Sequence, residues 1–495
     1  MYELAEGTVA VLPGSEGGSN PVLSTDGESV AYVAGESMFV TDISGGRPRF
    51  VTTVSEPQGV SWLNDGYIYV ADGQGRRLRR VAPDGESETI INSGCSCAVP
   101  ADPPHGGGVV VSGRTTEHIV HIHPNGDRDT LSIRGNHGQF LHSGYVVFLR
   151  TGSMFAARYD ADSRTISGDG TLVLDDIRTG SIGASGHYAI SRNGTLAYVA
   201  GPPAGLLTPV VRSSDGSEER LELPDGVYGE MDLSPDERRL IVYSYDRGRR
   251  HLLHDLVSGS TQMLPIPEGV AYVVWDSPQS YIYSETRADR STFFRSRLSG
   301  GSEEVLSFEG QASPTAVSDD GNLLAYRKVN RAGGQDLLIH DFAADSSVVL
   351  AGTDTDPAIY WSPDFSPDGR WVAYTRSGDG RSEVFVRPYP PDGSVIQVST
   401  AGGEEPLWIP GEARLVYRYG AEWYTVAVDR SGESIALGSP RLLFSGPYAN
   451  VAGMEYRMLS GGRALLYRPV NTEMNASRIE VITGFDRMLD ELLPE

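Results

Sequence analysis

Lysine is almost absent: Lys328 is the only one in 495 residues, so arginine carries nearly all of the positive charge. Together 41 basic residues face 65 acidic ones, for a formal net charge of -24. A surface that binds nucleic acid needs clustered cations to replace the counterions of the phosphates, and this balance argues against one. Cysteine is as scarce, with Cys95 and Cys97 alone, so no disulfide framework can staple the chain. No run of about 18 apolar residues is present that could span a bilayer as a helix. Met1 to Gly14 holds neither a basic stretch nor an apolar one, so no signal peptide is expected. The chain as it stands is therefore expected to be cytoplasmic. No segment before the C-terminus keeps a helical period, which excludes a helical solenoid. No Gly-x-Ser-x-Gly elbow occurs, and no acid–base pair of carboxylates stands out, so the expectation is a protein without catalytic residues or cofactor.

What the chain has in quantity is turn chemistry, with 59 glycines and 30 prolines. One unit is clearest at Pro363 to Tyr374, Pro-Asp-Phe-Ser-Pro-Asp-Gly-Arg-Trp-Val-Ala-Tyr. It recurs at Leu23–Tyr32, Ser191–Tyr198, Leu233–Tyr243 and Val317–Tyr326, with weaker copies near Asn64, Ser143, Pro410 and Ser460. Units near His105 and Trp275 keep the strands and lose the turn. In each copy an apolar strand meets a Ser-Pro-Asp-Gly turn, where Pro presets φ, Asp bonds the local backbone and Gly takes φ > 0. A β-branched and aromatic strand follows, as in Trp371–Tyr374. A polar hairpin at Ser377–Gly380, a third strand at Glu383–Arg387 and a fourth at Val395–Val398 complete an antiparallel meander. Ten intervals between Ser24 and Ser460 average about 44 residues, and four strands at that period predict an all-β chain, a β-propeller of about eleven blades.

The Ser-Pro-Asp-Gly-Arg-Trp-Val-Ala-Tyr stretch resembles the TolB-type, WD-like propeller repeat. The run Ser382–Pro390, and the C-terminal Ile479–Phe485 with Leu489–Leu493, are similar to the propeller region that follows the kinase domain of bacterial serine/threonine protein kinases. That resemblance implies a sensory, ligand-binding half of a signalling protein, periplasmic or extracellular if the chain is a fragment. A kinase domain itself is excluded: no Gly-rich phosphate loop and no His-Arg-Asp loop occur, and Lys328 sits within a repeat.

At 495 residues a single core is outgrown, so two fused propellers are expected, 1–226 and 227–495, a single eleven-bladed ring being the alternative. The last blade shows only three strands, Tyr456–Leu459, Ala464–Arg468 and Arg478–Thr483. The spare N-terminal segment Gly7–Leu12 is expected to supply its fourth and so remove exposed edges. Asp486–Leu493 should form a short amphipathic helix. The turn aspartates Asp236, Asp320 and Asp368 read as turn residues. His118, His121 and His123 on one strand, with His137 and His142, have ligand chemistry, but a half-exposed polar strand explains them better and no metal site is assigned. Cys95-Ser96-Cys97 is half a metal site at best. Loops before the first strand of each blade usually line one mouth of a propeller channel. They carry Glu230, Tyr360, Glu405 and Glu455, the candidate ligand-binding residues. The expected function is a non-catalytic binding or scaffold module for a protein, peptide or small ligand, with a cationic group as its natural complement.

Overall fold

The computed structural model describes residues 2–493 apart from 4–7, 10–14, 16, 55–56, 58, 73–76, 94–96, 104–106, 114–117, 151, 161–162, 164, 180–185, 192–193, 202–204, 246–249, 268–269, 271, 288–289, 354, 356, 379–380, 431–433, 450–455 and 471–478. Strands dominate, and among the described residues the only α-helix is Phe485–Leu492. The chain divides into two compact units, residues 1–205 with 473–495, and residues 206–472. The division departs from the expected 226/227 boundary at both ends. Residues 206–226 go to the second unit and the C-terminal tail goes to the first.

The second unit holds six antiparallel meanders. Blade 1 is Tyr228–Leu233, Arg239–Ser244, Arg250–Asp255 and Thr261–Met263. Blade 2 is Val273–Ser277, Ser280–Arg287, Arg290–Arg297 and Ser302–Glu309. Blade 3 is Ala312–Val317, Leu323–Val329, Gln335–Asp341 and Ser346–Ala351. Blade 4 is Ile359–Phe365, Trp371–Gly378, Arg381–Pro388 and Ile396–Gln397. Blade 5 is Glu404–Trp408, Arg414–Tyr419, Glu422–Asp429 and Arg441–Ser445. Blade 6 takes its inner strands, Arg457–Leu459 and Arg463–Pro469, from the end of the unit and its outer ones, Leu207–Arg212 and Glu218–Arg220, from the start. The first strands touch in cyclic order, the sixth meeting the first, which makes a closed β-propeller ring with no open sheet at the join.

Apolar clusters fill the space between consecutive blades. Trp371, Val384 and Val386 of blade 4 pack on Trp408, Leu415 and Tyr417 of blade 5. Tyr228, Leu240 and Val242 of blade 1 pack on Leu207, Leu465 and Tyr467 of blade 6, so the join is as apolar as the other seams. Each such side chain contributes about 1.5–3 kcal/mol on burial.

The turn chemistry follows the sequence pattern. Ser366 Oγ donates to Asp368 Oδ1 at 2.5 Å and accepts from the Trp371 N–H at 3.0 Å, while Gly369 takes φ +68°. Ser24, Ser234 and Ser318 repeat the serine–aspartate bond at 2.5–2.6 Å. These bonds hold the Asp26, Asp320 and Asp368 carboxyls below the usual carboxylate range, against some burial at Asp368. The serine is buried in each case because it bridges the two strands at their turn.

The first unit carries sheets at 19–53, 59–93, 97–134 and 136–174, and a three-stranded sheet of Tyr188–Ile190, Thr195–Val199 and Ile479–Thr483. Two strand expectations are corrected here. Ile479–Thr483 pairs with Thr195–Val199 and does not extend the last blade. Of the segment Gly7–Leu12, Thr8–Val9 pairs with Tyr2–Glu3, and the rest lies outside the described residues. The physical reason is register. Leu207–Arg212 runs antiparallel along Ala464–Pro469, setting buried Leu207 and Val210 on the same sheet as buried Leu465 and Leu466, and already completes that blade. The tail forms the helix, with Phe485 and Leu489 one turn apart and buried against Tyr145, Leu149, Tyr188 and Leu196. Tyr145 donates to Asp490 at 2.9 Å and Ser143 to Asp486 at 2.9 Å.

Candidate functional site

The first strands of blades 1, 4 and 5 each carry a bulge, where the register shifts between Tyr228 and Met231, Trp361 and Asp364, and Glu404 and Leu407. A bulge sets two residues against one and turns a side chain away from the ladder. The residues so placed are Glu230, Ser362 and Glu405. Ser362 and Glu405 adopt φ +47° and +53°, in the left-handed region that favours glycine. Pro363 and Pro406 follow them, and a bulge is where a strand tolerates a residue without an N–H.

Two of these strands are braced to the next blade. Asp232 Oδ2 accepts from the Trp275 N–H at 2.8 Å, and Trp275 Nε1 donates to the Asp232 carbonyl at 3.2 Å. Asp364 and Trp408 make the same two bonds at 2.7 and 3.2 Å. Blade 6 is tied in through Arg457, whose Nε lies 3.1 Å from Asp232 Oδ1, and through Tyr456, whose hydroxyl donates to the Glu405 carbonyl at 2.5 Å.

These bonds gather charge at the ring centre. Glu405 is 1% exposed. Its Oε2 accepts from Arg418 Nε at 2.9 Å, and its Oε1 is buried with no hydrogen-bond partner among the described residues. Glu230 has no hydrogen-bond or ion-pair partner among them. Burial pushes the Glu230 carboxyl up to about 8, opposed by Arg327 and Arg457 and reinforced by Glu405. Burial also raises Glu405 to about 7 against the pull of Arg418, and Asp364 to about 7 against the Trp408 N–H and Arg457. Asp232 is raised by burial and lowered by Arg457. The carboxyls of buried Glu405 and of half-buried Glu230, Asp232 and Asp364 thus outnumber the guanidiniums of Arg327, Arg418 and Arg457, and desolvation makes them costly to ionise without a cation.

Of the four residues expected at a channel mouth, Glu230 and Glu405 lie at bulges within the first strands of blades 1 and 5, not in loops ahead of them, and Glu405 acts on the Glu230 carboxyl. Tyr360 lies in the apolar cluster of blades 3 and 4 with Phe365 and Tyr374, its hydroxyl accepting from Arg376 Nε at 3.4 Å. Glu455 lies outside the described residues. Sequence reading missed Asp232, Asp364, Arg457 and Ser362. One signal was present: an Asp two residues ahead of the turn serine in both Asp232-Leu233-Ser234 and Asp364-Phe365-Ser366.

The histidines have other occupations. His121 Nε2 pairs with the Gly107 carbonyl at 3.0 Å and His123 Nε2 with Asp129 at 2.7 Å, their rings 4.1 Å apart. Burial lowers His137 to about 4, and its Nδ1 accepts from the Gly186 N–H at 3.0 Å. His142 is exposed, and the side chain of His118, with Cys95, falls outside the described residues. No group of three or more potential metal ligands occurs among the described residues.

Comparison with protein-family models and with curated protein sequences finds no match. Among solved structures, the chain is similar to a putative TolB from Agrobacterium tumefaciens, at 17% identity and a TM-score of 0.42 over 54% of this chain and 99% of that one. It is similar to TolB from Acinetobacter baumannii at 14% identity and a TM-score of 0.37, covering 62% and 82% of the two chains. It is also similar to the Cps50 (Swd1) β-propeller domain of Myceliophteria thermophila, at 14% identity and a TM-score of 0.31 over 57% and 93%. None of these reaches 25% identity or a TM-score of 0.5, so the β-propeller fold of this chain rests on its own strand order and ring closure.

Proposed function

We propose that the protein is a non-catalytic binding module whose second unit takes the positively charged group of a small ligand or peptide at Glu230 and Glu405. One observation carries this reading: Glu230 has no internal partner, and Glu405 Oε1 has none either, at a centre where carboxylates exceed guanidiniums. A cation placed between them would satisfy two acceptors that the described residues leave open. A hydrolytic role finds less support. Among the described residues, no serine, cysteine or histidine side chain is hydrogen-bonded to the carboxyl of Glu230, Glu405 or Asp364. A sensory half of a signalling kinase rests on the resemblance of Ser382–Pro390 and of Ile479–Phe485 with Leu489–Leu493, stretches that serve here as the third strand of blade 4 with the residues after it and as a strand and helix of the first unit.

The test is a panel of amino-acid amides, each carrying an ammonium and no carboxylate, titrated against the full chain and followed by ligand-observed NMR and thermal shift. Binding is expected for the wild type and loss of at least about tenfold for Glu230→Gln, a difference of about 1.4 kcal/mol. Amide binding that survives Glu230→Gln and Glu405→Gln unchanged would refute the assignment.

A further inference from the structure

The site that this reading uses holds a second unsatisfied group, of opposite charge. Arg327 projects from the second strand of blade 3, half-buried, with its guanidinium 4.8 Å over the Tyr272 ring. Stacking fixes the plane of the guanidinium without using any of its N–H donors. Its Nε is buried with no hydrogen-bond partner, and Arg327 makes no ion pair among the described residues. It nevertheless lies near enough to Glu230 to stabilise that carboxylate. Arg418 and Arg457 differ from it, because each is committed to carboxylates: Arg418 to Glu404 and Glu405, Arg457 to Asp232.

An unlike pair of desolvated charges in electrostatic reach normally closes to contact, because separate burial costs more than pairing. Here Arg327 and Glu230 make no ion pair with each other, though Arg327 acts on the Glu230 carboxyl. Arg327 is held by Tyr272, and Glu230 by the bulge at Tyr228–Met231. The charged groups that act on Glu230 are Arg327 from blade 3, Arg457 from blade 6 and Glu405 from blade 5. Such an arrangement suits a molecule that brings both charges.

We propose that the second unit binds a small zwitterion of the α-amino-acid type, its ammonium at Glu230 and Glu405 Oε1 and its carboxylate at Arg327. This rests on the reading above for its cationic half, and Arg327 adds the anionic half. The guanidinium fork matches a carboxylate in bidentate fashion, so discrimination against the amide falls on Arg327.

The experiment uses the full chain and the twenty free amino acids, each beside its amide and its des-amino acid, read by ligand-observed NMR and calorimetry. At least one amino acid is expected to bind about tenfold or more tighter than its amide, and both tighter than the des-amino acid. Arg327→Met is expected to abolish the preference for the amino acid and leave amide binding within about twofold. Arg327→Lys is expected to restore part of the preference, which also shows that the variant ring is intact. Equal binding of amino acid and amide by the wild type overturns the proposal while leaving the cation site standing. Equal weakening of both by Arg327→Met overturns it too, since Arg327 would then act only by holding Glu230. Failure of every amino acid and amide to bind overturns both readings.

Discussion

Replacing Ser362 by glycine should stabilise the second unit. Ser362 sits at φ +47°, a conformation that costs an L-residue about 1–2 kcal/mol. Ser362 is 3% exposed, and its hydroxyl is buried with no partner among the described residues, which costs about 1–3 kcal/mol more. Against these stands the larger freedom of glycine in the unfolded chain, about 0.5–1 kcal/mol. Strain and lost solvation outweigh that entropy, and a net gain of about 1–4 kcal/mol follows. The unit spans residues 206–472, hence 267 residues. At about 2.1 cal/mol/K per residue its unfolding entropy is about 0.56 kcal/mol/K, so the gain should appear as a rise of about 2–7 °C in its calorimetric transition. Ser362→Ala removes the hydroxyl and keeps the strain, so it should give a smaller rise. A Ser362→Gly protein melting at or below the wild type would show that the hydroxyl is satisfied or that the bulge is not strained, and the reasoning would fail.

Other outcomes follow from the same bonds. Glu230, near 8, and Glu405 and Asp364, near 7, have folded values above the ordinary carboxyl range, so the folded state binds more protons than the unfolded one. Their contribution to stability is therefore complete below about pH 4 and is lost as pH rises through 7 to 8, so the second unit should melt lower at pH 8.5 than at pH 5.5, and Glu230→Gln should flatten that slope in a thermal series. Ser366→Ala removes the bond to Asp368 and the acceptor of the Trp371 N–H, so it should cost about 1–3 kcal/mol in urea unfolding and raise the Asp368 carboxyl toward its ordinary value by NMR titration. Arg457→Met leaves Asp232 without its ion pair and should cost about 3–5 kcal/mol. The double variant with Asp232→Asn should cost less than the sum of the two single variants in a double-mutant cycle, and strictly additive losses would show that the pair is not coupled.

The repeat and its turn were legible because their chemistry is local. Ser366, Asp368 and Gly369 lie within four residues and satisfy one another, so the pattern states its own geometry. Glu230 and Glu405 stood out as polar residues near an inner strand, but they lie within it, at bulges that no sequence pattern marks. Arg327 and Arg457 did not stand out, because their significance lies in partners far along the chain: Asp232 and Arg457 are 225 residues apart. The bulges hid for a different reason. A one-residue shift in register leaves the apolar alternation almost unchanged while moving a side chain to the other face. The closing strand was misplaced for a related cause. Gly7–Leu12 and Leu207–Arg212 are both short apolar segments, and only pairing with Ala464–Pro469 separates them.

The closure of blade 6 by its own first strands has a consequence for synthesis. The second unit is nested in the sequence of the first, and its ends meet: Val470 donates to the Leu206 carbonyl at 2.9 Å. A ribosome delivers Arg463–Pro469 before Ile479–Thr483, so the nested ring has all its strands while a sheet of the surrounding unit still lacks one. Translation order therefore makes the later-encoded ring the earlier one to be complete, and leaves the first unit waiting on the last strand and helix of the chain.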